Sequence, residues 1–358
     1  MRKRWCGWGR RIGPETIRQL QDRIVGLAQQ RKVLSGRKMR VDTTVVETNI
    51  HYPTDSALLQ DGTRVLTRTM KKIEQKVGGL KKKVRNRMRS VTKRAIAIAH
   101  ALRQKGPEGE QKRPREYRPL LRLTRQILND SQTVLREVEA QPCGGSQAVG
   151  KLGKRLGRMA EQVRRVVRQT EARIFDGVTQ FPDKLVSLFE PYTEIIRKGK
   201  AGKPNEFGKL VELQEAENQI ITHYEVLEKR PAHQTLLLPA IAAHRRKLGR
   251  VPQSLAGDAG FYSPANEQAA HALGVKYVSI PSRSTRSEQR RRLQKQRWFK
   301  RGQAWRTGCE GRISVLQRRH GLDRCRYRGT EGMQRWVGLG VIADNLINMG
   351  GWLALQTA

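Results

Sequence analysis

The apolar positions of the chain change period several times, and each period predicts a different kind of element. Pro14 opens a helix that carries Ile17, Leu20, Ile24 and Leu27 on one face, with Gly36 placed to close it. The stretch KMRVDTTVVETNI then alternates and is rich in β-branched residues, which predicts a strand over Met39–Glu47. Val41, Thr43 and Val45 share one face of that strand; Asp42, Thr44 and Val46 share the other. From about Asp61 to Lys184 the pattern is helical, broken at Gly78-Gly79, at KGPEGEQKRP and at QPCGGS. The last of these helices repeats Leu152, Leu156, Met159, Val163 and Val166, a three-four alternation that makes a coiled-coil-like seam. A bundle or long hairpin is expected, apolar inside and charged outside.

After Leu185 the pattern turns mixed. KLVELQEA and QIITHYEVL read as two strands joined at Glu217-Asn218, TLLLPAIAAHRRKL as a helix, SLAGD as a short strand and PANEQAAHAL as a helix opened by proline. VKYVSIP is another strand, and SRSTRSEQRRRLQKQRWFKR a basic connector or helix. AWRTGCEGRISVLQRRHGL is a helix, and MQRWVGLGVIADNLINMGGWLAL a terminal apolar helix. Without the helical block the order is β-β-β-α-β-α-β-α, that of a ribonuclease H-like fold. The expected fold class is therefore α/β: a ribonuclease H-like mixed sheet flanked by helices, with a large all-α insertion between the first and second strands. The corresponding boundaries are a helical segment over 1–37, a first part of the sheet domain over 38–60, the insertion over 61–184 and the remainder over 185–358.

Charge narrows the function. Lys and Arg number 72 against 32 Asp and Glu, a formal net charge of +40, spread over almost the whole length. A field of that size attracts polyanions, nucleic acid first among them. No apolar run reaches the roughly 18 residues of a spanning helix, and the start lacks the apolar region of a signal peptide. Cys6, Cys143, Cys309 and Cys325 form no Cys-x-x-Cys pair, which argues for a reducing compartment and against a zinc module. The expected location is the cytoplasm, at the nucleoid.

Three acids stand out against this background. Asp42 lies inside the first strand, Asp258 ends the SLAGD strand, and Glu310 sits on a late helix, 52 residues further on. In the expected topology all three reach one edge of the sheet. Converging carboxylates repel and lose hydration, so a cation must neutralise them. Oxygen ligands suit Mg²⁺ or Mn²⁺, and two such ions stabilise the attacking and leaving oxygens of a phosphoryl transfer. Each acid also has a structural reading: Asp42 in a local backbone contact, Asp258 as a turn former, Glu310 paired with Arg306 or Arg312. His233 sits close to the gathered acids or caps its helix. Tyr262 and Ser263 are placed to orient DNA or Asp258, and Gly260 to allow a tight turn.

VDTTVVETNIHYPTDS, LAGDAGFYS and RTGCEGRISVLQRRHGLDRCRYRG resemble the three acidic motifs of DDE-type transposases of bacterial insertion sequences, within the retroviral-integrase superfamily and nearest the ISNCY group. The resemblance runs from about Ile12 to the C-terminus. It implies that Asp42, Asp258 and Glu310 are the catalytic, metal-binding acids. It further implies two Mg²⁺ or Mn²⁺ ions, double-stranded DNA as substrate and target, and a homodimer acting on paired ends. Relatives often carry Tyr-x2-Arg-x3-Glu-x6-Lys around the glutamate. Arg306 fills the arginine slot, whereas Gln303 and Gln317 stand at the tyrosine and lysine positions, with Arg318 and Arg319 just beyond. Candidate DNA contacts are Arg306, Arg318 and Arg319, together with Trp298 and Lys300 of the basic run Arg283–Arg301. Those last two are equally readable as an aromatic anchor and a surface cation. The short stretch before Asp42 suggests an N-terminally truncated copy. The activity so implied is metal-dependent DNA cleavage and strand transfer at insertion-sequence ends. The alternatives are a catalytically inactive DNA-binding protein of transposase origin and a structure-specific nuclease of the same fold.

Overall fold

The computed structural model describes residues 12–78, 80–104, 106–140, 146–200, 203–283 and 285–357. The basic leader with Cys6, Gly79, and Cys143 within QPCGGS lie outside them. The chain forms two compact units, residues up to Asn49 with those from Glu194 onward, and Ile50–Thr193.

Helix α1 (Pro14–Gln30) forms where the 3.6-residue period predicts it, but a different face is buried: Ile17, Gln21, Ile24, Val25 and Ala28. Leu20 and Leu27 stay exposed. Gln21 displaces them because its Nε2 donates to the Ile221 carbonyl at 2.7 Å, a buried backbone acceptor that a leucine would leave unpaired. Gly36 does not close the helix. It adopts φ +68° further along the chain, where a Cβ would lie 3.0 Å from Leu248 Cδ1. The Glu217 carboxylate then accepts the N–H groups of Gly36, Arg37 and Lys38 at 3.1, 2.9 and 2.9 Å and fixes the entry into β1 (Lys38–Glu47).

The second unit is helical: α2 (Asp55–Val77), α3 (Met88–Arg103), α4 (Pro107–Glu139) and α5 (Gln147–Ile174). Thr54 caps α2 through the N–H of Ala57, and Gly78 ends it in the left-handed region at φ 66°. KGPEGEQKRP breaks the chain only at its start, since Pro107 opens α4 and Pro114 lies within it. Leu156, Met159, Val163 and Val166 are buried with Leu59, Leu66, Ile73, Leu120 and Ile127 in one aliphatic core, against which Leu152 packs. Asp55 is the acid buried deepest there, and it meets Arg173 at 2.7 Å and Gln169 at 3.2 Å.

The returning chain completes a mixed sheet with β2 (Glu194–Lys200), β3 (Lys203–Glu215), β4 (Ile221–Val226), β5 (Ser254–Gly257) and β6 (Tyr277–Ser279). The order is β2-β3-β1-β5-β6, with β4 also paired to β3. β1, β5 and β6 are parallel, while β2, β3 and β4 join by antiparallel pairing. β3 is longer than KLVELQEA, and EIIRKGK is a strand that the hydropathy pattern does not announce. Its charged residues hide the alternation, and pairing with β3 decides it. On one face Met39 and Val41 pack with Leu255, Val278 and helix α6 (Leu237–Leu248), together with Phe261 in the turn after β5 and Ala270 of α7 (Pro264–Ala272). On the other face lie Arg40, Asp42 and Thr44. The chain ends with α8 (Glu288–Lys295), α9 (Arg297–His320) and α10 (Gly329–Thr357).

Candidate active site

Helix α9 crosses the face of the sheet that carries Arg40, Asp42 and Thr44, and small residues and amides set its height. A Cβ on Gly302 would stand 2.5 Å from Ser279 Cβ, and one on Gly308 would stand 2.6 Å from Arg40 Nη1. Ser279 Oγ donates to the Phe299 carbonyl at 2.8 Å, Gln303 Nε2 donates to Ser279, and Gln317 Nε2 donates to Thr44 Oγ1 at 3.2 Å. Gln303 and Gln317 therefore tie the helix to β6 and β1. Arg40 donates to the Trp305 carbonyl and to Glu215, and stacks 4.9 Å from the Trp305 ring. Directly after Trp305 the helix presents Arg306, and one turn further Glu310.

Asp42 is in the middle of β1 with its side chain 13 % exposed. Its Oδ1 accepts the Thr43 N–H at 2.7 Å, and its Oδ2 stands 3.5 Å from Arg306 Nη1. Asp258 follows β5 directly, and the parallel register Val41↔Gly257 sets it beside Asp42 across the strand pair. Its Oδ1 caps the next turn through the Gly260 N–H at 2.8 Å. Glu310 is exposed and pairs with Arg306 Nη2 at 2.9 Å. Burial foremost, with the nearby charges of Asp258 and Glu310, pushes the Asp42 carboxyl up to about 6 against the pull of the Thr43 N–H and Arg306. One guanidinium thus bridges the first and third acids, while the second sits next to the first. Among the described residues no three His, Cys, Asp or Glu side chains are gathered so as to hold a metal ion.

Local structural roles coexist with this arrangement. Asp258 forms a turn and Glu310 pairs with Arg306, whereas Arg312 is buried against Asp344 at 2.8 Å. Gly260 is needed for space rather than for a left-handed turn: a Cβ there would meet His233 Nδ1 at 2.8 Å and Asp258 Oδ1 at 3.0 Å. His233 makes no helix cap. Its Nε2 is 3.4 Å from Thr43 Oγ1 and its ring lies against Phe261, while burial, ahead of neighbouring arginines, lowers its pKa despite Asp258. Tyr262 lies under the Arg290 guanidinium at 4.5 Å, and Ser263 caps α7, so both are engaged in structure.

The basic run splits by role. Arg290 is buried and grips Glu267 at 2.5 and 2.8 Å and the Ile280 carbonyl at 2.6 Å. Phe299 is in the core, and Trp298 is half-buried between Tyr277 and Phe299, which favours the anchor reading of that pair. Lys300, Arg318 and Arg319 are exposed. Arg306, expected among the DNA contacts, is held between carboxylates in this chain. Its spacing one turn before Glu310 is the sequence signal for that. Glu212 gave no such signal; it is a buried acid on β3 that burial raises to about 7.

Residues 268–350 match a family model described as a transposase DDE domain. The match takes in α9 with Arg306 and Glu310 and stops short of both aspartates. No curated protein and no solved structure matches the chain. No helix among the described residues is long and apolar enough to cross a membrane.

Proposed function

We propose that the chain is a DDE transposase that cleaves DNA and transfers the cut strand at insertion-sequence ends, with Asp42, Asp258 and Glu310 as its acids. The observation that carries this reading is that the β1–β5 register, ending at Val41↔Gly257, leaves Asp42 and Asp258 as neighbours, beside a helix whose Glu310 falls within the transposase match. The sheet order fits a ribonuclease H-like arrangement: with β2 set aside, β4-β3-β1-β5-β6 has its first three members antiparallel and β1, β5 and β6 parallel. The helical unit would then be an insertion between β1 and β2.

In chemistry the three carboxylates suit a hard divalent cation, with Asp42 destabilised as an anion by burial and by the two others, but with Arg306 between Asp42 and Glu310 they are not gathered around one point. Mg²⁺ or Mn²⁺ bound there would supply the charge that stabilises both oxygens of a phosphodiester displacement. The chain's own part is to hold Asp42 and Asp258 on adjacent rigid strands, and to bring Glu310 over them on a helix set by Gly302 and Gly308. Arg306 lies within reach of a phosphate oxygen once it leaves Glu310. A homodimer on paired ends belongs to the same reading.

A second reading, a DNA-binding protein without catalysis, is favoured by one observation: Arg306 already neutralises two of the acids. Nicking of supercoiled plasmid by the full chain with Mn²⁺ separates the two. The transposase reading expects nicking that EDTA stops and that Asp42→Asn, Asp258→Asn and Glu310→Gln each abolish. Retained binding with no nicking under any divalent cation leaves the second reading.

A further inference from the structure

Helices α4 and α5 run antiparallel. Arg125 bonds Glu171, Arg118 lies 5.6 Å over the Phe175 ring, and a Cβ on Gly157 or Gly153 would meet Leu135 or Val138 at 4.0 or 3.8 Å. Opposite the buried seam, both helices show solvent a line of cations. On α4 these are Arg118, Arg122 and Arg125; on α5 they are Lys154, Arg158 and Arg168, with one exposed acid, Glu161, on the same face between Arg158 and Arg168. Steps of four and three residues on α4, and of four and ten on α5, keep each line on one helical face. Arg125 is paired with Glu171, but among the described residues the other five have no carboxylate partner. A folded surface gains nothing in stability from unpaired like charges set side by side, since neighbours on a helix repel by some tenths of a kcal/mol.

We propose that the outer face of the α4–α5 hairpin is a second DNA-binding surface, one that grips the phosphate backbone of a duplex without reading sequence. Packed helix axes lie about 8–10 Å apart, so the two lines form parallel rails. From Lys154 to Arg168 the α5 line covers about 21 Å at 1.5 Å per residue, roughly six steps of 3.4 Å along one DNA strand. The rails stand on a packed aliphatic core, which suits a stiff duplex. Single strands are held by stacking on free aromatic rings; Phe175 is the ring at this face, and Arg118 covers it. The surface itself is argued from geometry and charge, while the choice of DNA as its duplex rests on the transposase reading.

The test is binding of a random-sequence duplex by the full chain, followed as log K against log salt. Replacing Arg118, Arg122, Lys154, Arg158 and Arg168 together with Gln should flatten the slope by about 4.5, at about 0.9 per lost phosphate contact, and weaken binding equally for every sequence. A control that removes as much charge from exposed positions of α2 and α3 (Arg68, Lys72, Lys76, Lys93 and Arg103 to Gln) should move the slope by less than about one. Circular dichroism establishes that both variants keep their helices. Equal slopes in the two variants, or an unchanged slope in the first, overturn the proposal, as does tighter capture of duplex RNA or of acidic vesicles than of DNA. The catalytic reading fails separately, by absent nicking in a chain whose rails still bind.

Discussion

The two units of this protein treat charge in opposite ways. The helical unit buries an almost purely aliphatic core and turns its cations to solvent, with Asp55, Asp130 and Glu190 as the acids drawn inside. The sheet unit carries ions into its interior: Arg40 with Glu215, Arg312 with Asp344, Arg290 with Glu267, and Asp42 beside Asp258. Taking an ion out of water costs several kcal/mol, and pairing only offsets this when geometry is fixed. Such a cost is tolerated where position matters. Arg40 contacts α9, the helix that carries Glu310, and Arg312 ties that helix to α10 through Asp344. The sheet unit is built to hold atoms in place, the helical unit to present a charged surface on a stable support.

Mutations that break this contrast are ranked by expected effect. Arg40→Ala strands a buried Glu215 carboxylate and opens the seat of α9, so a loss of about 3–5 kcal/mol is expected in urea unfolding. Leu156→Ala in the helical seam should cost about 2–5 kcal/mol through its cavity, and it should leave plasmid nicking intact once folding is secured. Gly302→Ala forces a Cβ to within 2.5 Å of Ser279 and should cost about 1–3 kcal/mol. Its sharper signature is lost nicking with DNA binding kept, because α9 moves off the sheet.

Asp42→Asn sharpens the comparison by pH. A carboxyl raised from 3.8 to about 6 in the folded chain binds its proton more tightly there than when unfolded. Its charge therefore lowers stability progressively as pH rises from about 4 to 6, and the full cost is present above pH 6. The asparagine should thus be more stable than the parent at pH 8, by at most about 3 kcal/mol, with the gap closing toward pH 4. Thermal melts across that range check it, and an equal gain at pH 4 and 8 contradicts it. Smallest of all, Arg158→Gln on the helical rails should change stability by no more than about 0.5 kcal/mol.

The sequence already displayed much of this. Val41, Thr43 and Val45 against Asp42 and Thr44 is a strict alternation, so the strand and the outward acid were legible together. The α5 seam was equally clear, because an aliphatic core leaves a periodic trace. β2 was hidden, since EIIRKGK is mostly charged and becomes a strand only by pairing with β3. The buried face of α1 differs from its apolar stripe for a related reason: Gln21 enters it to satisfy a carbonyl 200 residues away, which no local period reports. Arg306 had the right spacing to meet Glu310 on its own helix, yet its reach to Asp42 depends on how closely α9 settles over β1, and that is set by Gly302 and Gly308.

The central claim is that three acids from two parallel strands and a crossing helix form one cation-dependent cutting site. Plasmid nicking with Mn²⁺, run side by side for the parent chain and for Asp42→Asn, Asp258→Asn and Glu310→Gln, tests it most directly when duplex binding is measured on the same samples. The account predicts nicking by the parent alone, removed by EDTA, with binding unchanged in all four. Nicking that survives in any one of the three variants would contradict it.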